Sequence, residues 1–282
     1  PTTTTTTIPR LDRGDTATIE RLQADLDVFL AMGPRVSGSP AEEASAQHFA
    51  ERATTITGAP ARIEEFPLPT GATSWNVWSA EVGSGDRLLV IGSHLDSVAG
   101  SPGADDNASG AIVILELLRR LAEEPPLDLR VVIVGFGAEE RIGSHGHHFG
   151  SRYAVGVLEE QDALPDLMLS VDMVGFGPTL VCVSFQGHDP SFADAIAAVA
   201  TDADIAIERR TRGEISDHVA FARAGVPAAH LWRDGNPDFH RPGDDHVNDE
   251  ALLENLRLLE AIVAHLSPPP APPPSDAGTH AT

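Results

Sequence analysis

The chain is 282 residues long, 41% hydrophobic and 22% charged, an ordinary globular composition with enough apolar residues for one sizeable core. Its 19 basic and 42 acidic residues give a formal net charge of −23, so the surface repels phosphate backbones and anionic lipid, which disfavours nucleic-acid and membrane-surface roles. All the basic residues are arginines and Cys182 is the only cysteine, which excludes lysine Schiff-base chemistry, internal disulfides and thiolate-rich metal sites, so any metal must sit on nitrogen and oxygen ligands.

Residues 1–15 begin with Pro1 and six threonines and are expected to be flexible; 268–282, led by a proline-rich run, are expected to be a disordered tail. That leaves 16–267 as a single domain. Within it, 16–32 places Ile19, Leu22, Leu26, Phe29 and Leu30 near helical spacing, and 41–57 reads as a second helix after the break at Gly33 and Pro34. Three strands are expected next, in the runs ARIEEF, WNVWSAEV and RLLVIGSHL. Residues 108–123 read as a helix with Ser109 as its cap, stopped by Pro125 and Pro126. The run 129–136 is continuously apolar, as buried strands are. Beyond it helices are expected over 151–161, 190–201, 217–224 and 249–266, and strands over 167–171, 180–184 and 228–232. This alternation predicts an α/β sandwich with a largely parallel central sheet. No apolar run approaches the ~18–20 residues needed to cross a bilayer.

In open α/β sheets ligands bind where loops leave the carboxyl ends of the strands. His94 and Asp96 follow LLVIGS, Glu139 and Glu140 follow VVIVGFGA, and Asp172 follows LMLSV; Asp105 and Asp106 precede a helix, and His240 lies in the turn DFHRPGDD. A lone histidine or Glu-Glu pair is usually a solvated loop residue, and an acidic chain carries many loop carboxylates. These acids, however, end buried-type strands, where bringing Glu139, Glu140 and Asp172 together without cations costs several kcal/mol each or forces protonation. A pair of divalent metals resolves that conflict.

The blocks HLDS at 94–97, PGADDNASG at 102–110, GAEE at 137–140, VDMVG at 171–175, SDH at 216–218 and FHRPGDD at 239–245 resemble, in the same order, those of the M28 family of co-catalytic zinc peptidases. GPR at 33–35 and the asparagine of WNVW fit as well. The resemblance implies the three-layer α/β/α sandwich of zinc-dependent exopeptidases, with a mixed, largely parallel sheet. It implies two Zn2+ ions, one held by His94 and Asp172, the other by Glu140 and His240, with Asp106 bridging both. Asp96 is expected to accept the second imidazole proton of His94, and Glu139 to act as general base in hydrolysis without a covalent intermediate. The implied substrates are peptides or small proteins with a free N-terminus. A serine nucleophile is the competing chemistry, but no G-x-S-x-G elbow is present.

Some departures stand out. Phe239 occupies a position where some relatives carry tyrosine, and the one tyrosine, Tyr153, is expected in the helix after the Glu-Glu loop. The loop after Glu140 is longer than the family's usual stretch; its His145, His147 and His148 are read first as solvated, then as a rim contacting substrate, and last as ligands of a further ion. His218 weighs equally as a pocket residue and a structural one. His230, Trp232 and Cys182 are read as core or pocket wall, and Arg209, Arg210 and Arg212 as a solvated face. The two ends resemble linkers of exported bacterial proteins, so secretion or cell-surface attachment is expected.

An aminopeptidase is the favoured function. A carboxypeptidase or dipeptidase would use the same metals and an arginine such as Arg212, Arg233 or Arg241. A non-catalytic ectodomain and a one-zinc glutaminyl cyclase-like protein are the remaining alternatives.

Overall fold

The computed structural model describes residues 13–267; the expectations for the two tails lie almost wholly outside them. Helix α1 (Arg13–Ala31) already begins within the stretch expected to be flexible. In α2 (Pro40–Thr57), Ser39 caps the first turn by accepting from Glu42 N, Pro40 supplies a preset φ, and Gly58 closes the helix in the left-handed region at φ 70°.

The strands are β1 (Arg62–Pro67), β2 (Thr73–Trp78), β3 (Val82–Ser84), β4 (Leu88–His94), β5 (Leu129–Phe136), β6 (Leu167–Val171), β7 (Thr179–Phe185), β8 (Glu208–Arg212) and β9 (Ala228–Asp234). Between them run α3 (Gly110–Glu123), α4 (Phe149–Glu160), α5 (Ser191–Asp202), α6 (His218–Arg223) and α7 (Asp249–Leu266). All nine strands form one mixed sheet in the order β1-β2-β5-β4-β6-β9-β7-β8, with β3 also on β5. Its centre, β5-β4-β6-β9, is parallel, whereas β1-β2-β5 and β9-β7 pair antiparallel.

Strand alternation divides the apolar residues between two cores. Leu89, Ile91, Val131, Ile133, Leu169 and Val171 face α1, α2, α3, α5 and α7, while Val90, Val132, Val134 and Met168 face α4 and α6. Both faces are covered, which is why the central strands are apolar at nearly every position. Helix α3 is apolar on almost all sides because α1, α2 and α7 pack over it.

The sequence expectations differ from the structure in three places. WNVWSAEV forms β2 and β3 separately, with a break after Trp78. Arg209, Arg210 and Arg212, read as a solvated face, lie on β8: Arg212 is exposed, but half-buried Arg209 pairs with Asp194, and half-buried Arg210 pairs with Glu208 and Asp234 and lies over the Trp232 ring. Ser109 does not cap α3: its hydroxyl donates to Asp105 O (2.7 Å), and Asn107 Oδ1 takes the Gly110 amide (2.9 Å).

The strand order reverses at β4, with β5 on one side and β6 on the other. Loops leaving the carboxyl ends of these neighbours diverge and open a crevice. No helix among the described residues is long and apolar enough to cross a membrane.

Candidate metal centre

Four separate loops at the carboxyl edge, with the last residue of β4, bring five expected ligands together. His94 ends β4, Asp106 lies in the irregular turn Ala104–Ser109 before α3, Glu140 follows β5, Asp172 follows β6, and His240 follows β9. His94 Nε2 lies 3.2 Å from both Asp106 Oδ1 and Asp172 Oδ1. His240 Nε2 lies 3.1 Å from Asp106 Oδ2 and 3.2 Å from Glu140 Oε1. Two ligand groups result, His94–Asp106–Asp172 and Asp106–Glu140–His240, sharing Asp106 through its two oxygens.

Close backbone approach makes this possible. A Cβ on Gly110 would collide with the Val171 carbonyl oxygen, so glycine there lets the start of α3 lie against the end of β6 and sets Asp106 beside Asp172. Asn107 Nδ2 bonds Val171 O (3.0 Å) and Ser93 Oγ (2.9 Å), tying the same turn to β4 and β6. The peptide bond between Asp106 and Asn107 is cis. Of six non-glycine residues at positive φ among the described residues, four border the site: Ala138, His148, Met173 and His240. Such conformations persist where surrounding contacts over-determine them.

Charged side chains hold these loops from below. Fully buried Arg35 donates to Leu95 O (2.8 Å), Pro102 O (2.6 Å) and Gly103 O (2.9 Å), joining the end of β4 to the Asp106 turn. Asp96 was expected to take the His94 imidazole proton. His94 Nδ1 lies nearer the Asp96 backbone oxygen (3.1 Å) than its carboxylate (3.4 Å). The carboxylate also accepts from the Glu139 and Glu140 amides at 3.0 and 3.1 Å and from Ser37. The Asp105 and Asp106 amides point at Asp244. Sequence reasoning gave Asp244 no role, although it lies in the FHRPGDD block.

A metal fits this donor set. Two imidazole nitrogens each face two carboxylate oxygens, and one N–H cannot serve both; only the His94–Asp172 pair has hydrogen-bond alignment. Buried Glu140 Oε1 has no hydrogen-bond partner among the described residues. Burial and neighbouring Asp106 push the Glu140 carboxyl up to about 7, while the facing Asp106 and Glu140 carboxylates raise His240 to about 10. Burial opposes protonation of His94, but Asp172 and Asp106 more than offset it and hold His94 well above the usual histidine range. Protons are thus drawn to a cluster where cations would satisfy every lone pair at once.

Glu139 Oε1 lies 2.9 Å from His148 Nε2. Burial raises its carboxyl well above the usual range. His148 corrects the reading of its loop as solvated: it is 3% exposed, whereas His145 is exposed and His147 half-buried. No further ligand group among the described residues includes these histidines. His218 is fully buried without a hydrogen-bond partner among the described residues, its ring stacked on His230 at 5.2 Å. His230 and Trp232 do line the cleft, and Cys182 is core.

The cleft above the centre encloses about 580 Å³. Met173, Ile215, Trp232 and Phe239 provide apolar wall, and Arg141 and Arg212 reach its rim without a carboxylate partner among the described residues. Of the other arginines considered for a substrate carboxylate, Arg233 is paired with Glu254 and Arg241 bonds Pro237 O. Phe239 stacks on His240 at 3.7 Å. Tyr153 stacks on Phe66, outside the cleft.

This is an α/β fold with two histidine and carboxylate groups that could each hold a metal ion and that share one aspartate. The chain belongs to Peptidase family M28, whose model matches residues 76–264. It is 31% identical over 188 residues to aminopeptidase YwaD of Bacillus subtilis (strain 168), a match covering 62% of this chain and 40% of that protein. It is 24% identical over 275 residues to a probable leucine aminopeptidase of Arthroderma benhamiae, covering 88% and 73%. The fold is similar to that of BSAP, a zinc aminopeptidase from Bacillus subtilis, with TM-score 0.78 and 19% identity over 88% of this chain and 95% of that one. An Acidobacteriales bacterium glutaminyl cyclase shares it with TM-score 0.74 and 16% identity over 93% and 98%.

Proposed function

We propose that the protein is a di-zinc aminopeptidase that removes residues from free peptide N-termini. The observation that carries this reading is Asp106, one carboxylate contributing an oxygen to each of two histidine and carboxylate groups. Family membership and the curated relatives named as aminopeptidases support it. His94, Asp106 and Asp172 would hold one ion, and Asp106, Glu140 and His240 the other. When bound, the zinc ions supply Lewis acidity to the attacking water and the scissile carbonyl. Glu139 takes the water proton and delivers it to the departing amine. Asp96 fixes the backbone that carries Glu139 and Glu140 by accepting from both their amides. Met173, Ile215 and Trp232 receive an apolar first side chain. Phe239 brings no hydroxyl, so the chain offers no phenol to the oxyanion here.

One observation favours a second reading. Arg141 and Arg212 at the rim suit a substrate carboxylate, as a dipeptidase or carboxypeptidase requires. The test compares a leucyl peptide with its N-acetylated and C-amidated copies in zinc-restored protein. The aminopeptidase reading expects acetylation to abolish hydrolysis and amidation to spare it. The reverse pattern would assign the enzyme to C-termini.

A further inference from the structure

With 42 acidic residues against 19 arginines, nearly every guanidinium group finds a carboxylate or a backbone carbonyl. Among the described side chains, the arginines with neither an ion pair nor a hydrogen bond are Arg141, Arg152 and Arg212. All three gather at one place. Arg141 and Arg212 border the cleft above the metal centre, and Arg141 and Arg152 border a second cavity of about 200 Å³ that shares Arg141, His147, His148 and Glu214 with the cleft wall. Arg223, in the last turn of α6, also lines the second cavity, and its ion pair takes up Glu214, the one carboxylate there among the described residues. Arg141 and Arg152 are left uncompensated. Their field is felt at His147: burial lowers its pKa, and Arg141, Arg152 and Arg223 lower it further against the opposing pull of Glu214.

The backbone fixes where this basic corner stands. His148 N donates to Glu139 O (2.8 Å), Phe149 N to Ala138 O (2.8 Å) and Gly150 N to Gly137 O (3.0 Å), a short ladder that lays the segment from His147 to Arg152 alongside Glu139. Glu139 hands its proton to the departing amine, so the peptide beyond the scissile bond leaves along this side of the cleft. We propose that the second cavity binds a carboxylate of the departing peptide, so that the enzyme favours substrates with an acidic group downstream of the residue it removes. The proposal deepens the aminopeptidase reading and rests on it. The carboxylate has two sources, an acidic side chain at the second or third position or the C-terminus of a short peptide, and either offers the two oxygens that a guanidinium fork binds. The net charge of −23 otherwise repels acidic peptides, and the unpaired arginines offset that repulsion at the point of binding. Arg141 and Arg152 are exposed, so the preference is modest and is screened by salt.

Zinc-restored protein is assayed on C-amidated leucyl tetrapeptides carrying Asp or Asn at the second or third position, and on leucyl di- and tripeptides with free or amidated C-termini. We expect at least one acidic substrate to exceed its neutral twin by about 3- to 10-fold in kcat/KM, the scale of ion pairs at an exposed site, and the pair that differs identifies the source of the carboxylate. The ratio should approach one at high salt, fall in Arg141→Gln and Arg152→Gln, and invert in Arg152→Glu. Each ratio is taken within one variant, so a general loss of activity cancels. Ratios of one for every wild-type pair, or an acidic preference untouched in all three variants, would overturn the proposal while leaving an active aminopeptidase in place. Calorimetry with the departing peptides alone, Asp-Ala amide, Asn-Ala amide and Asn-Ala with a free C-terminus, separates the two readings. Tighter binding of an acidic copy, lost in Arg152→Glu, in a protein that hydrolyses no leucyl peptide would overturn the aminopeptidase reading and leave the carboxylate site standing. Equal binding of all three without hydrolysis would overturn both.

Discussion

The carboxylate of Asp244 grips the turn that carries Asp106, accepting the Asp105 amide at 2.8 Å and the Asp106 amide at 3.2 Å. Asp244 N in turn donates to Arg241 O, and Asp244 O accepts from Ala104 N, so the His240 loop and the Asp106 turn are bound to each other at several points. Two residues of the second ligand group, His240 and Asp106, are therefore tied together through Asp244. Asp244→Ala should weaken metal affinity by about 10- to 100-fold, the scale on which groups orienting metal ligands act. Competition with a chelator measures it, and unchanged affinity would show that the turn is rigid without Asp244.

Arg35 makes a similar connection with charge that has no carboxylate within ion-pair distance among the described residues. Burial lowers its pKa to about 10, yet nearby Asp96, Asp106 and Asp244 keep it protonated. Arg35→Lys keeps the charge but cannot reproduce three bonds aimed from one planar guanidinium. Hydrogen bonds to charged groups contribute about 1.5–3 kcal/mol each, so the melting temperature should drop by several degrees. A drop under one degree would show that lysine spans the same carbonyls.

Three buried histidines make the fold sensitive to acid. Burial pulls His230 down to about 4, His148 to about 2 and His218 well below the usual value. Unfolded histidine takes up a proton near pH 6.5, so below that pH the unfolded chain binds more protons than the folded one. Stability is complete above 6.5 and falls as pH drops toward the folded values. His218→Phe removes one of these groups together with two unpartnered nitrogens. At pH 7 it should be neutral or stabilising, and the decline between pH 6.5 and 4 should be shallower by about one proton. Denaturant melts at several pH values test this, and a large loss at pH 7 would mean that the imidazole nitrogens are bonded in solution.

The sequence was most legible where burial is uniform. Strands β4, β5 and β6 read as apolar runs because both sheet faces are covered, and His94, Glu139, Glu140 and Asp172 could be picked out as the residues that end them or follow them. Strand β8 was not legible: Arg209 pairs with Asp194, and Arg210 pairs with Asp234 and covers Trp232, partners remote in sequence. The burial of His148 depends on the ladder between 137–139 and 148–150, which no local periodicity announces. Asp244 was hidden differently, since in so acidic a chain a loop aspartate looks like solvated charge until its amide partners are known.

The sharing of Asp106 predicts an asymmetry among ligand substitutions. Asp172 and His94 belong to one ligand group only, and Glu140 and His240 to the other, whereas Asp106 belongs to both. Asp172→Ala leaves the second group with Asp106, Glu140 and His240, three ligands that suffice for a site with an open position. Asp106→Ala leaves each group with one histidine and one carboxylate, too few to retain zinc against a chelator. Elemental analysis after chelation and zinc restoration should therefore approach two equivalents in the wild type, one in Asp172→Ala and none in Asp106→Ala. The 3.2 Å approach of His94 to Asp172 is lost in one variant and kept in the other, so general unfolding is checked separately by circular dichroism. One equivalent in the wild type, or one retained by Asp106→Ala, would break the two-ion assignment.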